Sequence, residues 1–295
     1  MGNYVLSCCS TTDLSKQRLN ERNIEYTCFH YSLNGKNYLD DLGETLSLDD
    51  FYSAMANGAE TKTAQINAVE YEKYFEKFLK DGKDLVHVTM SSGISGSYNS
   101  ALIAKRTLEE KYPERKLYVI DSLGASSGYG LIMDKLADLR DEGYSAEELY
   151  AWAEEHKLEM HHWFFSTDLS FYVKGGRISK ASGWFGTVLK ICPLLNMDNE
   201  GHLVPRFKLL GKRRVIEATV AKMKEFALDG ANYSENCFIS NSAAPEDAEA
   251  VKNAVEKNFP NLVGKVKIFS IGTTIGSHTG PGTVALFFWG KKREN

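Results

Sequence analysis

The chain has 295 residues, 43% of them hydrophobic, a formal net charge of −4 and a pI near 6.0. That is enough apolar side chain for one large α/β unit or two medium domains, and too little positive charge for a nucleic-acid footprint. No apolar run approaches a membrane span, and "MGNYVLSCCSTTDLS" has neither the charged-then-apolar order of a secretion signal nor the Ser or Thr that myristoylation needs where Leu6 stands.

From the N-terminus, residues 3–9 read as a strand, after which Ser10 or Thr11 is placed to cap a helix through Asp13 to Asn23. Five dispersed cysteines (Cys8, Cys9, Cys28, Cys192, Cys237) form no C-x-x-C pair, the pattern of reduced thiols in a cytoplasmic protein. Residues 24–41 read as extended chain folded at Asn34-Gly35, a dipeptide suited to the positive φ angles of a type I′ turn. Ser47 with Asp50, Asn67 with Glu70 and Ser145 with Glu148 stand at capping spacing, each ahead of a helix. In the helix after Asn67, Tyr71, Tyr74, Phe75, Phe78 and Leu79 recur at helical spacing as a core stripe.

"HVTMSSGISGSYNSA" (His87 to Ala101) passes from a β-branched run through a loop of Gly and Ser into a helix beginning at Ser97 or Tyr98. Strand, small-residue loop and helix together aim free N–H groups and the positive end of a helix dipole at one place, so this loop suits a small anion. It lacks the lysine of a Walker A loop and the third glycine of a dinucleotide fingerprint, and Gly93-Ile94-Ser95-Gly96-Ser97 misses G-x-S-x-G by one residue. The alternative is that its glycines serve only a tight turn. A strand over 116–122, a second small-residue loop "LGASSGYG" and a helix through "IMDKLADLRDEG" repeat the unit. Such repetition predicts a parallel sheet flanked by helices, a Rossmann-like arrangement with ligands at the carboxyl ends of its strands.

From about residue 161 strands alternate with tight turns. His161 and His162 are neighbours on one strand, face opposite ways, and cannot share a metal. "DNEGH" reads as a hairpin turn, and "GKRRVIEATVAKMKEFALDG" as an amphipathic helix with Lys212, Arg213 and Arg214 at its solvated start. Strand, helix and strand follow over 237–272, and "TVALFFWG" closes the chain as an apolar strand. The second half is thus expected to be an α+β domain, which divides the chain into 1–160 and 161–295.

Seven segments in order, "TTDLS", "KTAQINAVEY", "SSGISGSYNSA", "YVIDSLGASSGYG", "FYVKGGRIS", "ICPLLNMDNEGHL" and "SHTGPGTVALFF", resemble the DegV proteins, also called fatty-acid-binding subunits of the bacterial fatty acid kinase. The resemblance covers nearly the whole chain. It implies a two-lobed protein that buries a long-chain fatty acid between its lobes, with no cofactor of its own. The carboxylate would be held by Thr63, Ser95, the amides near Gly96, and His278 in a Gly-rich turn. The acid would be presented to a separate ATP-using kinase subunit, related to dihydroxyacetone kinases, with Arg177 at the entrance or the kinase contact. Such a protein would have no transmembrane segment, only transient contact with a membrane surface. Cys9 and Ala64 depart from the family pattern, which usually has aspartate and serine there. Phe164, Phe165, Phe171, Tyr172, Trp184 and Phe185 offer apolar surface for a tail. The rival reading is a lipid hydrolase or acyltransferase with Ser95 as nucleophile and His278 as base, which needs an orienting third residue and an oxyanion hole.

Overall fold

In the computed structural model, which describes residues 4–179 and 191–294, the chain begins β1 (Tyr4–Cys9), α1 (Lys16–Glu21), β2 (Glu25–Thr27), β3 (His30–Leu33), β4 (Lys36–Leu39), α2 (Leu48–Ala56), β5 (Thr61–Ala64) and α3 (Ala68–Lys80). Next come β6 (Asp84–Thr89), α4 (Ser97–Lys111), β7 (Leu117–Asp121), α5 (Ser126–Asp141) and α6 (Ala146–His156). The remainder is β8 (Met160–Ser166), α7 (Ser170–Lys174), β9 (Ile191–Met197), β10 (Leu203–Leu210), α8 (Lys212–Phe226), β11 (Phe238–Asn241), α9 (Pro245–Asn258), β12 (Lys267–Ser270), α10 (Thr273–Thr279) and β13 (Thr283–Trp289).

Three sheets result. The first is parallel throughout, in the order β2-β1-β6-β7, as strand–helix alternation predicts. The second, β10-β9-β8-β13-β11-β12, is antiparallel except for the β11–β12 pair. The third is small: the β3–β4 hairpin turns at Asn34 and Gly35 (φ 49° and 80°), and β5 pairs with the other side of β3. One hydrophobic core runs across the two large sheets, and a satellite of Tyr31, Phe51, Tyr52 and Met55 fills the space under the small one.

Local signals set most helix starts. Asn67–Glu70 and Ser145–Glu148 form complete capping boxes, and the Ser47 hydroxyl accepts the Asp50 N–H. Ser10 and Thr11 do not cap α1; Ser15 does. The Ser10 hydroxyl is committed to Asp40 and the Phe29 N–H, and the Thr11 hydroxyl to Tyr129. Asp13 then takes a left-handed φ of 51°, which ends the short 3-10 turn Ser10–Thr12 before α1 can begin.

Helix α5 starts earlier than its sequence suggests, so Gly128 and Gly130 are helical and the second small-residue loop is only Ser122 to Ala125. Close packing explains both glycines. A Cβ on Gly128 would stand 2.3 Å from His162 Nε2 and 2.7 Å from Phe287, and one on Gly130 would stand 2.9 Å from Leu14. These contacts set α5 down on the β8–β13 face. Gly128→Ala is therefore expected to lower stability by about 1–3 kcal/mol through overpacking, despite the higher helix propensity of alanine. Urea denaturation checks this; an unchanged or higher midpoint would contradict the packing.

Candidate functional site

The loops at the carboxyl ends of β6 and β7 face the second sheet across a slot of about 420 Å³, within the range of small-molecule pockets. Met90, Ile94 and Ala125 line it from those loops, with Phe29 from the end of β2. The opposite wall is one face of β8 and β13, where alternation places His162 and Phe164 beside Thr283, Ala285 and Phe287. Ile271 and α10 form the third side, with Thr274, Ile275 and His278 turned inwards. The lining is predominantly apolar, with polar side chains set among the apolar ones.

Four of the five sequence-predicted site residues, Thr63, Ser95, Arg177 and His278, line this slot although they are far apart in the chain. Thr63 comes from β5, whose pairing with β3 sets Thr63 opposite Tyr31. Its Oγ1 lies 2.7 Å from His278 Nε2. His278 is in the last turn of α10, a helix and not the Gly-rich turn expected. The other ring nitrogen, Nδ1, is buried without a hydrogen-bond partner among the described residues and lies against Gly175, where a Cβ would stand 2.3 Å away. Desolvation, with a smaller contribution from the Arg177 charge, pulls the His278 pKa down to about 4. The ring is neutral at pH 7 and carries a single N–H.

Ser95 has a different environment. Its Oγ accepts the Ser97 N–H at 3.2 Å, and among the described residues its hydroxyl proton is uncommitted. Arg177 is half-buried, donates from Nε to Ile94 O at 3.2 Å and from Nη1 to Gly175 O, and is brought below its usual pKa by burial. It therefore ties the Ser95 loop to the turn after α7. Gly96 is the N-cap of α4 and does not line the slot; the Gln65 side chain lies over it, leaving 2.5 Å to a hypothetical Cβ.

Helix α10 is itself positioned by two carboxyl groups. The Gly272 N–H donates to Asp13 Oδ1 at 2.9 Å, and the Thr273 hydroxyl to Asp40 Oδ1 at 2.8 Å. Asp13 also accepts the Ser126 hydroxyl, and Asp40 that of Ser10. Both carboxyls are driven above their ordinary pKa by burial.

Phe164 and Tyr172 line the slot, whereas Phe165 is fully buried away from it and Phe171 packs on the satellite core. Trp184 and Phe185 lie outside the described residues. Sequence reasoning missed Phe29, Met90, Ile271 and Ile275, whose inward direction depends on tertiary closure. The last strand is apolar and buried on both faces, so its sequence did not single out Thr283, Ala285 and Phe287. A hydrolase arrangement is not assembled: among the described residues Ser95 and His278 share no hydrogen bond, and no acid orients the imidazole. Nor do the described residues include a group of three or more His, Cys, Asp or Glu suited to a metal ion.

A family model described as "Uncharacterised protein, DegV family" matches residues 9–291. The chain is 31% identical over 294 residues to a DegV domain-containing protein of Clostridium perfringens, covering all of both chains. It is 33% identical over 285 residues to one of Lactococcus lactis, covering 96% of each. Its fold is similar to that of a DegV lipid binding protein from Thermotoga maritima (TM-score 0.84, 24% identity, 100% of both chains) and a stearic acid-binding protein from Eubacterium ventriosum (0.85, 24%, 98% and 99%). The fatty acid kinase B3 protein of Streptococcus pneumoniae, loaded with linoleic acid, is a further match (0.83, 22%, 98% and 99%).

The neutral imidazole makes a pH prediction. Between pH 6.5 and about 4 the unfolded chain takes a proton at His278 that the folded chain refuses, so this residue withdraws stability as the pH falls through that window. An NMR titration should show the His278 ring protonating near pH 4; a midpoint near 6.5 would contradict the buried geometry.

Proposed function

The chain belongs to the DegV family, and from that membership and the slot we propose that it binds a long-chain fatty acid, tail buried and carboxylate at Thr63, Ser95 and His278. The observation that carries this reading is the make-up of the slot: a predominantly apolar lining in which the Thr63 hydroxyl and the His278 imidazole stand 2.7 Å apart. Tail burial contributes about 0.8 kcal/mol per methylene, on the order of 10 kcal/mol gross for a long chain. Hydrogen bonds to a charged group contribute roughly 1.5–3 kcal/mol each and offset the cost of burying it.

The tautomer that serves this role places the single proton of His278 on Nε2, where it donates to Thr63 Oγ1. The Thr63 hydroxyl then turns its own proton to the carboxylate, beside that of Ser95. The lobes divide near residue 160, into 1–160 and 161–295, with the acid between them.

The chain works as a cytoplasmic binding subunit and not as a catalyst alone. A separate ATP-using kinase phosphorylates the bound acid, and Arg177 sits at the entrance or the kinase contact. The name of the pneumococcal neighbour supports this part of the reading, as does the partly exposed position of Arg177 beside His278.

Native mass spectrometry of the purified protein, followed by denaturing extraction, should find a stoichiometric long-chain acid. Thr63→Val and Ser95→Ala should each weaken palmitate binding by about ten- to a hundredfold. No lipid from the parent protein, together with no binding of added palmitate or oleate, would overturn the reading.

A further inference from the structure

On β8 and β13 the slot-facing residues form three rungs: Thr283, then Phe164 opposite Ala285, then His162 opposite Phe287. The first rung lies against the end of α10, where Thr283 Oγ1 reaches the carbonyl of Thr279 (3.5 Å). At about 3.4 Å per residue the third is ~14 Å further along the strands. There α5 packs across both strands, and Met197 of β9 and Leu203 of β10 complete the lining.

His162 is 2% exposed, and both its ring nitrogens are occupied. Nδ1 donates to Met160 O at 3.2 Å, while Nε2 accepts the Ala125 N–H at 3.3 Å. That pair of contacts specifies one neutral tautomer, and burial, reinforced by the Arg293 charge, keeps the ring uncharged. No polar atom is left for a ligand, so the ring offers only carbon to the slot. It cannot swing aside either. Gly124 and Gly128 press against it, with room for no Cβ at either position (2.9 and 2.3 Å from Nε2), and Phe287 meets it edge-on at 5.3 Å between centroids.

We propose that His162 is the chain-length stop of the slot, a rigid apolar-edged plug held by the first turn of α5 that the end of the acyl tail abuts. This rests on the fatty-acid reading above and deepens it, because it assigns the upper limit on tail length to one side chain. The Nε2 atom of the ring serves α5, satisfying the otherwise orphaned Ala125 N–H, while its carbon edge serves the ligand. An aliphatic residue of similar size would fill the space but leave that donor unpaired.

The test loads the full-length protein with an equimolar mixture of saturated acids from lauric to behenic and reads the bound distribution by native mass spectrometry. His162→Ala should shift it to longer acids and raise the arachidate-to-palmitate ratio by about tenfold or more. His162→Asn, whose amide oxygen can still accept the Ala125 N–H, guards against loss of folding in the alanine variant and should shift the distribution the same way. An unchanged distribution in a folded variant overturns the proposal, as does loss of all acids, because removing a stop cannot abolish binding of chains that already fit. Failure of the parent itself to load any acid is the separate result that would sink the fatty-acid reading.

Discussion

Helix α10 has only seven residues, among them three threonines and a glycine, and a helix that short does not persist on its own propensity. It exists because two buried carboxyls from the first part of the chain, Asp13 and Asp40, receive its leading donors. No basic side chain pairs with either carboxyl among the described residues; backbone N–H and hydroxyl donors carry the compensation. Breaking one partner would leave a buried acceptor unpaired, so the cluster holds α10 in one place. His278, the third wall of the slot and the junction between the two large sheets all inherit that placement.

Among the described residues, the site built on this anchor carries one charged side chain, Arg177. His278 is neutral, Arg177 is engaged with two carbonyls, and Thr63 and Ser95 are uncharged. On the reading proposed above, a carboxylate here meets the hydroxyls of Thr63 and Ser95 beside a neutral imidazole. The apolar wall is equally passive: strand alternation and a few close glycine contacts shape it, and little side-chain freedom remains along β8 and β13.

What could be read in the sequence was what local chemistry decides. The Asn34-Gly35 turn, the capping residues at Asn67 and Ser145, the first serine-glycine loop and the apolar run of the last strand all depend on neighbours within a few residues. Thr63, Ser95 and His278 were legible as a set through family resemblance, and the slot brings them together. The pairing of β5 with β3 was not legible, because it is closed across a long loop by α2. Nor was α10, whose cap lies more than 200 residues away in the chain. Gly128 and Gly130 resembled a loop because their reason is steric and belongs to residues from other elements. Phe165 and Phe171 could not be separated from Phe164 by type alone; the pleat and the turn into α7 decide which of them the slot sees.

The contact between Thr63 and His278 also has a consequence in time. Its partners are separated by 215 residues, so at a typical 5–20 residues per second the first waits on the ribosome for roughly 10–40 s before the second is made. Until then the slot lacks the wall that α10 supplies. On the fatty-acid reading, loading then belongs to the complete molecule.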